Sequence, residues 1–397
     1  MINPSTQGWI EKFLNTTYSN EFNFSKSELD FYCQVRDTGF IYGYVTSLDV
    51  QLPIQTVDWT TEEFSKVALL NTLFKIYHFA EKDKNFTNFI KTALDFYDNM
   101  HPKGFSFFSK ILPTESQAVQ LEKIIDSRVQ TNDNIISKNF SHIITNALLF
   151  IDVLAFHQYL TNKKLAKDYV QKLEETIVSV VAFALKIKTK KTQYDDLLIK
   201  LFETSVRYTK LSDFKISELN AMDFSILQNN LEKYYVLDLA SMAIWSDAKM
   251  EPAEYTFLNE LGNTFNLQKS HIEDGLYDID AFIHEHKDKI PYFNYSNPIK
   301  HFYDQASQNV INLITRNKKR LQKELSESKD LVKLLAISTT RELNIEEKKK
   351  VKKQLLDVCK TVPSLTIFLL PGGSLLLPLL IKFIPQLLPS AFNENLD

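Results

Sequence analysis

Glycine stands at only 8 of 397 positions, and that scarcity limits what this chain can fold into more than any other feature. Glycine reaches positive φ without strain, so tight β-hairpin turns and phosphate-cradling loops depend on it. A long chain with so few must join its elements through helix ends and ordinary turns. The expectation is an all-α fold of multi-helix bundles. The 29 Phe and 17 Tyr fit that expectation as core residues, since aromatic rings bury large areas between packed helices.

The length allows two or three domains, and three regions can be drawn. An N-terminal helical region covers 1–135. In it Thr60-Thr-Glu-Glu63 caps a helix carrying Phe64, Val67, Leu70, Leu73, Phe74 and Tyr77 on one face. Pro102, Gly104 and Pro113 break the next helices, and Thr131-Asn-Asp-Asn134 marks the boundary. A helical middle domain covers 136–290, with apolar runs at Leu148–Phe156, Ile177–Leu185 and Tyr234–Trp245, then a helix from Pro252 to Leu261. The runs Leu148–Phe156 and Leu237–Trp245 are alike in pattern, as a duplicated helical unit would be and as unrelated apolar helices also are by chance. After a linker at Pro291–Pro298, a C-terminal module covers 299–397. It opens with a long helix through Leu325 and a shorter one to Arg341. A third starts at Asn344, a good N-cap with Glu346 and Glu347 in the first turn.

Charge is divided unevenly along the chain. The net charge of −3 resolves into −9 over Met1–Thr315, +7 over Arg316–Lys360 and −1 thereafter. The basic stretch is where an anionic surface would dock, and Lys348, Lys349, Lys350, Lys352 and Lys353 are its densest part. Only Cys33 and Cys359 are present, which gives no disulfide framework and fits a reducing compartment. The N-terminus lacks a basic-then-apolar signal pattern, so the body is not expected to be secreted.

From Thr361 to Ile381 no residue is charged, and 14 Leu, Ile, Val or Phe fall between Val362 and Ile384. On an insertion scale these contribute about −6 kcal/mol, against ~3 kcal/mol for Lys382 at mid-bilayer. Pro363, Pro371, Pro378, Pro385 and Pro389 punctuate the segment, and Pro371-Gly372-Gly373 stands at its middle. Such a break turns a chain back rather than letting it cross straight. Residues 361–389 are therefore expected to form a helical, proline-rich apolar hairpin associated with a membrane, alternatively packed into a soluble bundle. Lysines on its N-terminal side place the body on the cytoplasmic face of the inner membrane by the positive-inside rule.

The run Glu346-Glu-Lys-Lys-Lys-Val-Lys-Lys-Gln-Leu-Leu-Asp357-Val-Cys-Lys-Thr-Val-Pro363 resembles the helix entering the membrane segment of the leucine-zipper, EF-hand transmembrane (LETM-like) proteins. Leu370-Pro371, Leu377-Pro378, Ile384-Pro385 and Leu388-Pro389-Ser-Ala-Phe392 continue the likeness over about Glu346–Phe392. The resemblance implies a non-enzymatic, membrane-associated protein that binds ribosomes, or alternatively one that serves cation-proton homeostasis as exchanger or regulator. Ser374 stands where the family commonly carries a carboxylate, which leaves Asp357 as the local ion candidate. Asp357 also has a plain reading as a solvated helix residue beside Lys353 or Lys360. Implied partners are the ribosome and anionic lipid, with self-association possible and no DNA.

Leu237–Leu258 is similar to the helix-turn-helix of TerB-like domains, with Asp247, Glu251 and Glu254 at the acidic positions and Ala248 in place of a glycine. The resemblance implies a metal site. Helix capping by Pro252 and Glu254 accounts for the same residues. A soluble scaffold in envelope stress or biofilm growth is the role such a domain alone would suggest. The sequence offers no Walker loop, GxGxxG, HExxH, CxxC or Ser-His-Asp pattern, so neither an enzyme nor a cofactor is expected.

Overall fold

The computed structural model describes residues 2–18, 24–50, 54–56, 58–100, 115–129, 148–164, 168–188, 219–244, 250–286, 311–341 and 343–359. Among them every regular element is helical: α1 (Trp9–Tyr18), α2 (Glu28–Asp37), α3 (Thr61–Glu81), α4 (Phe86–Asn99), α5 (Gln117–Val129), α6 (Phe150–Asn162), α7 (Tyr169–Ile187), α8 (Asn230–Ile244), α9 (Pro252–Thr264), α10 (Lys269–His286), α11 (Lys318–Glu327), α12 (Lys329–Thr340) and α13 (Ile345–Cys359), with short 3-10 turns at Phe40–Tyr42 and Leu219–Ala221.

α3 starts as its sequence demands. The Thr60 hydroxyl accepts the Glu63 N–H at 3.3 Å while the Glu63 carboxylate accepts the Thr60 N–H at 2.9 Å, a reciprocal capping box. Beyond the cap, α3 differs from its one-faced pattern. It is buried around most of its circumference, Lys66 and Lys75 included, because α5 and α6 pack against it as well as α2 and α4. Each lysine meets acids there: Lys66 reaches Glu62 at 2.6 Å and also Asp126, and Lys75 reaches Asp49.

One apolar core runs from Ile2 to Ile279. Its most extensive helix contacts join α3 to α6 and α7 to α8, so the first pairing crosses the boundary drawn at Thr131–Asn134. That boundary itself lies outside the described residues. The core is a single one because α3 and α6 are each apolar enough to be buried on several sides, and each covers the other.

The two look-alike runs become α6 and α8, and each carries one fully buried aspartate. Arg128, in the last turn of α5, donates to Asp152 through Nε at 2.7 Å and Nη2 at 2.5 Å, and the Tyr97 hydroxyl adds a bond at 3.1 Å. Arg36, in the last turn of α2, donates to Asp238 through Nε at 2.9 Å and Nη2 at 3.2 Å, with the Tyr32 hydroxyl at 2.8 Å. The two aspartates fall at different positions within the look-alike runs, the fifth and the second, so the shared Arg and Tyr pattern is a likeness of contacts and not of register.

The C-terminal helices bury their own residues: Leu321 and Leu325 of α11, Leu331 and Leu335 of α12, Val351 and Val358 of α13. All three helices contact one another. Just before α11, Arg316 ties this unit to the body by pairing with Glu63, which is wholly buried, and by donating to the Asp58 carbonyl at 2.9 Å. Among the described residues no helix is long and apolar enough to cross a membrane. The apolar segment 361–389, with Pro363, Pro371, Gly372, Gly373, Pro378, Lys382, Pro385 and Pro389, lies outside the described residues.

Candidate functional site

The densest basic stretch folds as α13, and its start is fixed by local chemistry. Asn344 Oδ1 accepts the Glu347 N–H at 2.8 Å, while the Glu347 carboxylate accepts the Asn344 N–H at 2.9 Å. Arg341 grips the same carboxylate with two bonds of 2.7 and 2.9 Å. The Arg341 hydrogen bond, and then the Asn344 N–H, hold the Glu347 carboxyl down to about 2. The acid is therefore committed to the helix end and leaves the cations beyond it to set the potential of the face.

Val351 and Val358, seven residues apart, are buried against the neighbouring helices. Seven residues is two helical turns, so they form one stripe. Lys348, Lys349, Lys350 and Lys353 are exposed away from it. Lys350 reaches across to Asp330 of α12 at 2.8 Å, and its hydrogen bond lowers the Asp330 carboxyl below the usual range. Lys352 belongs to the same helix; its side chain lies outside the described residues. Asp357, the ion candidate, is exposed near the helix end.

A second basic strip lies on α11, where Lys318, Lys319, Arg320 and Lys323 are all exposed. Spacing among lysines alone does not single it out. The signal in the sequence is Leu321 and Leu325 four apart, which turn the flanking cations outward. Arg320 also lines a cleft of about 290 Å³ with Trp9, Glu122, Lys123 and Asp126.

The three acids Asp247, Glu251 and Glu254, expected from sequence as a metal set, fall differently. Asp247 lies outside the described residues. Pro252 opens α9 at its first position, and the Glu254 carboxylate accepts the Glu251 N–H at 2.8 Å while 2 % exposed. Glu254 thus serves the start of the helix. Among the described residues no group of three or more His, Cys, Asp or Glu could hold a metal ion.

The fold and the site together define an all-α protein with an acidic helical body and a basic, capped C-terminal helix. Residues 343–397 match the family model described as LETM1-like, RBD, where RBD is a ribosome-binding domain, so the C-terminal segment is LETM-like over 55 of the 397 residues. No curated protein and no solved structure matches the chain.

Proposed function

We propose that this chain is a non-enzymatic interaction protein that binds ribosomes through the lysine face of α13. The observation that carries the reading is the exposure of Lys348, Lys349 and Lys353 on a helix inside the segment that matches the ribosome-binding domain model. A lysine face of this kind binds phosphate backbones by charge and by release of condensed counterions, and it needs no base-specific contact. The acidic body opposes that binding, which keeps polyanions on the C-terminal unit.

In this reading residues 361–389 hold the protein at the cytoplasmic face of the inner membrane, next to α13. The uncharged length of the segment supports membrane contact, and its central Pro-Gly-Gly favours a re-entrant hairpin. The TerB-like middle serves as a rigid helical body, open to self-association. Cation-proton exchange gains nothing from Asp357, which is solvent-exposed, because proton-coupled transport uses ionisable groups inside the membrane path.

Co-sedimentation of the full chain with purified ribosomes tests the binding. Carbonate extraction of membranes tests the attachment, and recovery of the whole chain in the supernatant would refute integral membrane insertion.

A further inference from the structure

We propose that α11 forms a second phosphate-contacting element, outside the matched segment, so that the chain grips structured RNA with two basic helices rather than one. This deepens the ribosome-binding reading and rests on it. Lys318, Lys319 and Lys323 are exposed on α11, as are Lys348, Lys349 and Lys353 on α13, and the two helices pack directly on one another. Axes of packed helices lie about 8–10 Å apart, close to the Debye length of roughly 8 Å at physiological ionic strength. Both lysine sets thus stand on one helical unit. A phosphate backbone, with charges repeating every few ångströms, can meet cations on both helices at once.

The chemistry of the surface favours RNA over a lipid headgroup layer. A helix that lies on a membrane sinks apolar side chains between headgroups beneath its charged face. Here Leu321, Leu325, Val351 and Val358 are buried within the helical unit. Among the side chains of these helices that the structure describes, Ile345 is the one large apolar group left exposed. The contact is electrostatic, and its strength should follow phosphate neutralisation.

The test measures binding of the full chain to purified ribosomes across a salt series, with a parallel series on vesicles of equal parts phosphatidylcholine and phosphatidylglycerol. Three proteins are compared: the unchanged chain, the combined Lys318→Gln, Lys319→Gln, Lys323→Gln variant, and the combined Lys348→Gln, Lys349→Gln, Lys353→Gln variant. Circular dichroism confirms that these surface changes leave the helices intact. Each lost phosphate contact lowers the slope of log K against log salt by about 0.9 on duplex backbone. The expected result is a slope reduced by roughly 2 to 3 in the α11 variant, with a comparable reduction in the α13 variant. An unchanged slope in the α11 variant beside a reduced one in the α13 variant overturns this inference and leaves ribosome binding by α13 standing. Loss confined to vesicles overturns it in favour of a membrane surface. Unchanged ribosome binding in both variants overturns the inference and the ribosome-binding reading together.

Discussion

Asp152 and Asp238 stand on two different buried helices, Asp152 in the first turn of α6 and Asp238 within α8, and each is held by the same kind of constellation. An arginine from the last turn of another helix supplies Nε and Nη2, and a tyrosine hydroxyl completes the set. A charge taken out of water costs several kcal/mol, and only near-ideal pairing offsets that cost. Each cluster therefore fixes how its helices meet more than it adds to net stability. Burial pushes the Asp238 carboxyl up, and Arg36 pulls it back down.

Removing one partner of such a pair leaves the other buried and uncompensated. Arg128→Leu and Arg36→Leu are each expected to destabilise the fold by about 3–5 kcal/mol. Adding Asp152→Leu to the Arg128 variant should recover most of that loss, because no charge then remains in the core. Urea unfolding followed by circular dichroism reads both steps. Equal stability of the single and double variants would show that the pairing is not the source of the loss.

The joint between the C-terminal unit and the body rests on a similar contact. Glu63 is wholly buried, caps α3, accepts the Ser5 hydroxyl at 2.5 Å and pairs with Arg316. Arg316→Ala should cost about 3 kcal/mol or more, since a buried carboxylate loses its cation. A global unfolding midpoint that does not move in that variant would show that the pair is not formed in solution.

Turn geometry gives an independent check on the first part of the chain. Gly39 follows α2 with φ near +76°, and a Cβ there would run into the Tyr44 carbonyl oxygen. Gly39→Ala is expected to destabilise by about 1–3 kcal/mol through backbone strain and this clash. Thermal melting decides the point, with an unshifted midpoint as the contrary result.

His157 sets a pH dependence. It is buried in α6, and desolvation lowers its pKa below the ordinary histidine value. The unfolded chain then binds a proton more readily than the folded one. Stability contributed by this site is lost as pH falls below about 6.5, the unfolded value, towards the lowered folded one. His157→Gln should flatten the fall in stability across that window. An unchanged pH profile in the variant would assign the effect to other groups.

Much of the helical content was legible because capping is local chemistry. The Thr60 and Glu63 box, Pro252 at the start of α9 and the Asn344 cap of α13 each involve residues only a few positions apart. The exposed lysines of α13 were legible for the same reason. Mutual cover was not legible in the pattern. That α3 would be enclosed on most sides, or that its core would join α6 across the Thr131–Asn134 boundary, depends on contacts distant in sequence. The buried aspartates left a faint trace, an ionisable residue inside a continuous apolar run, but their arginines lie 24 and 202 residues away. The basic strip of α11 needed its buried leucines to be seen before its outward face could be.

Ribosome pelleting by two matched variants tests the central claim most directly. In one, Lys348, Lys349, Lys350, Lys352 and Lys353 are changed to arginine; in the other, the same five are changed to glutamate. Charge-driven binding to phosphate predicts that the arginine variant pellets with ribosomes like the unchanged chain, while the glutamate variant stays in the supernatant at every salt concentration. Pelleting of the glutamate variant to the same extent as the unchanged chain would contradict the assignment of α13 as the ribosome-binding face.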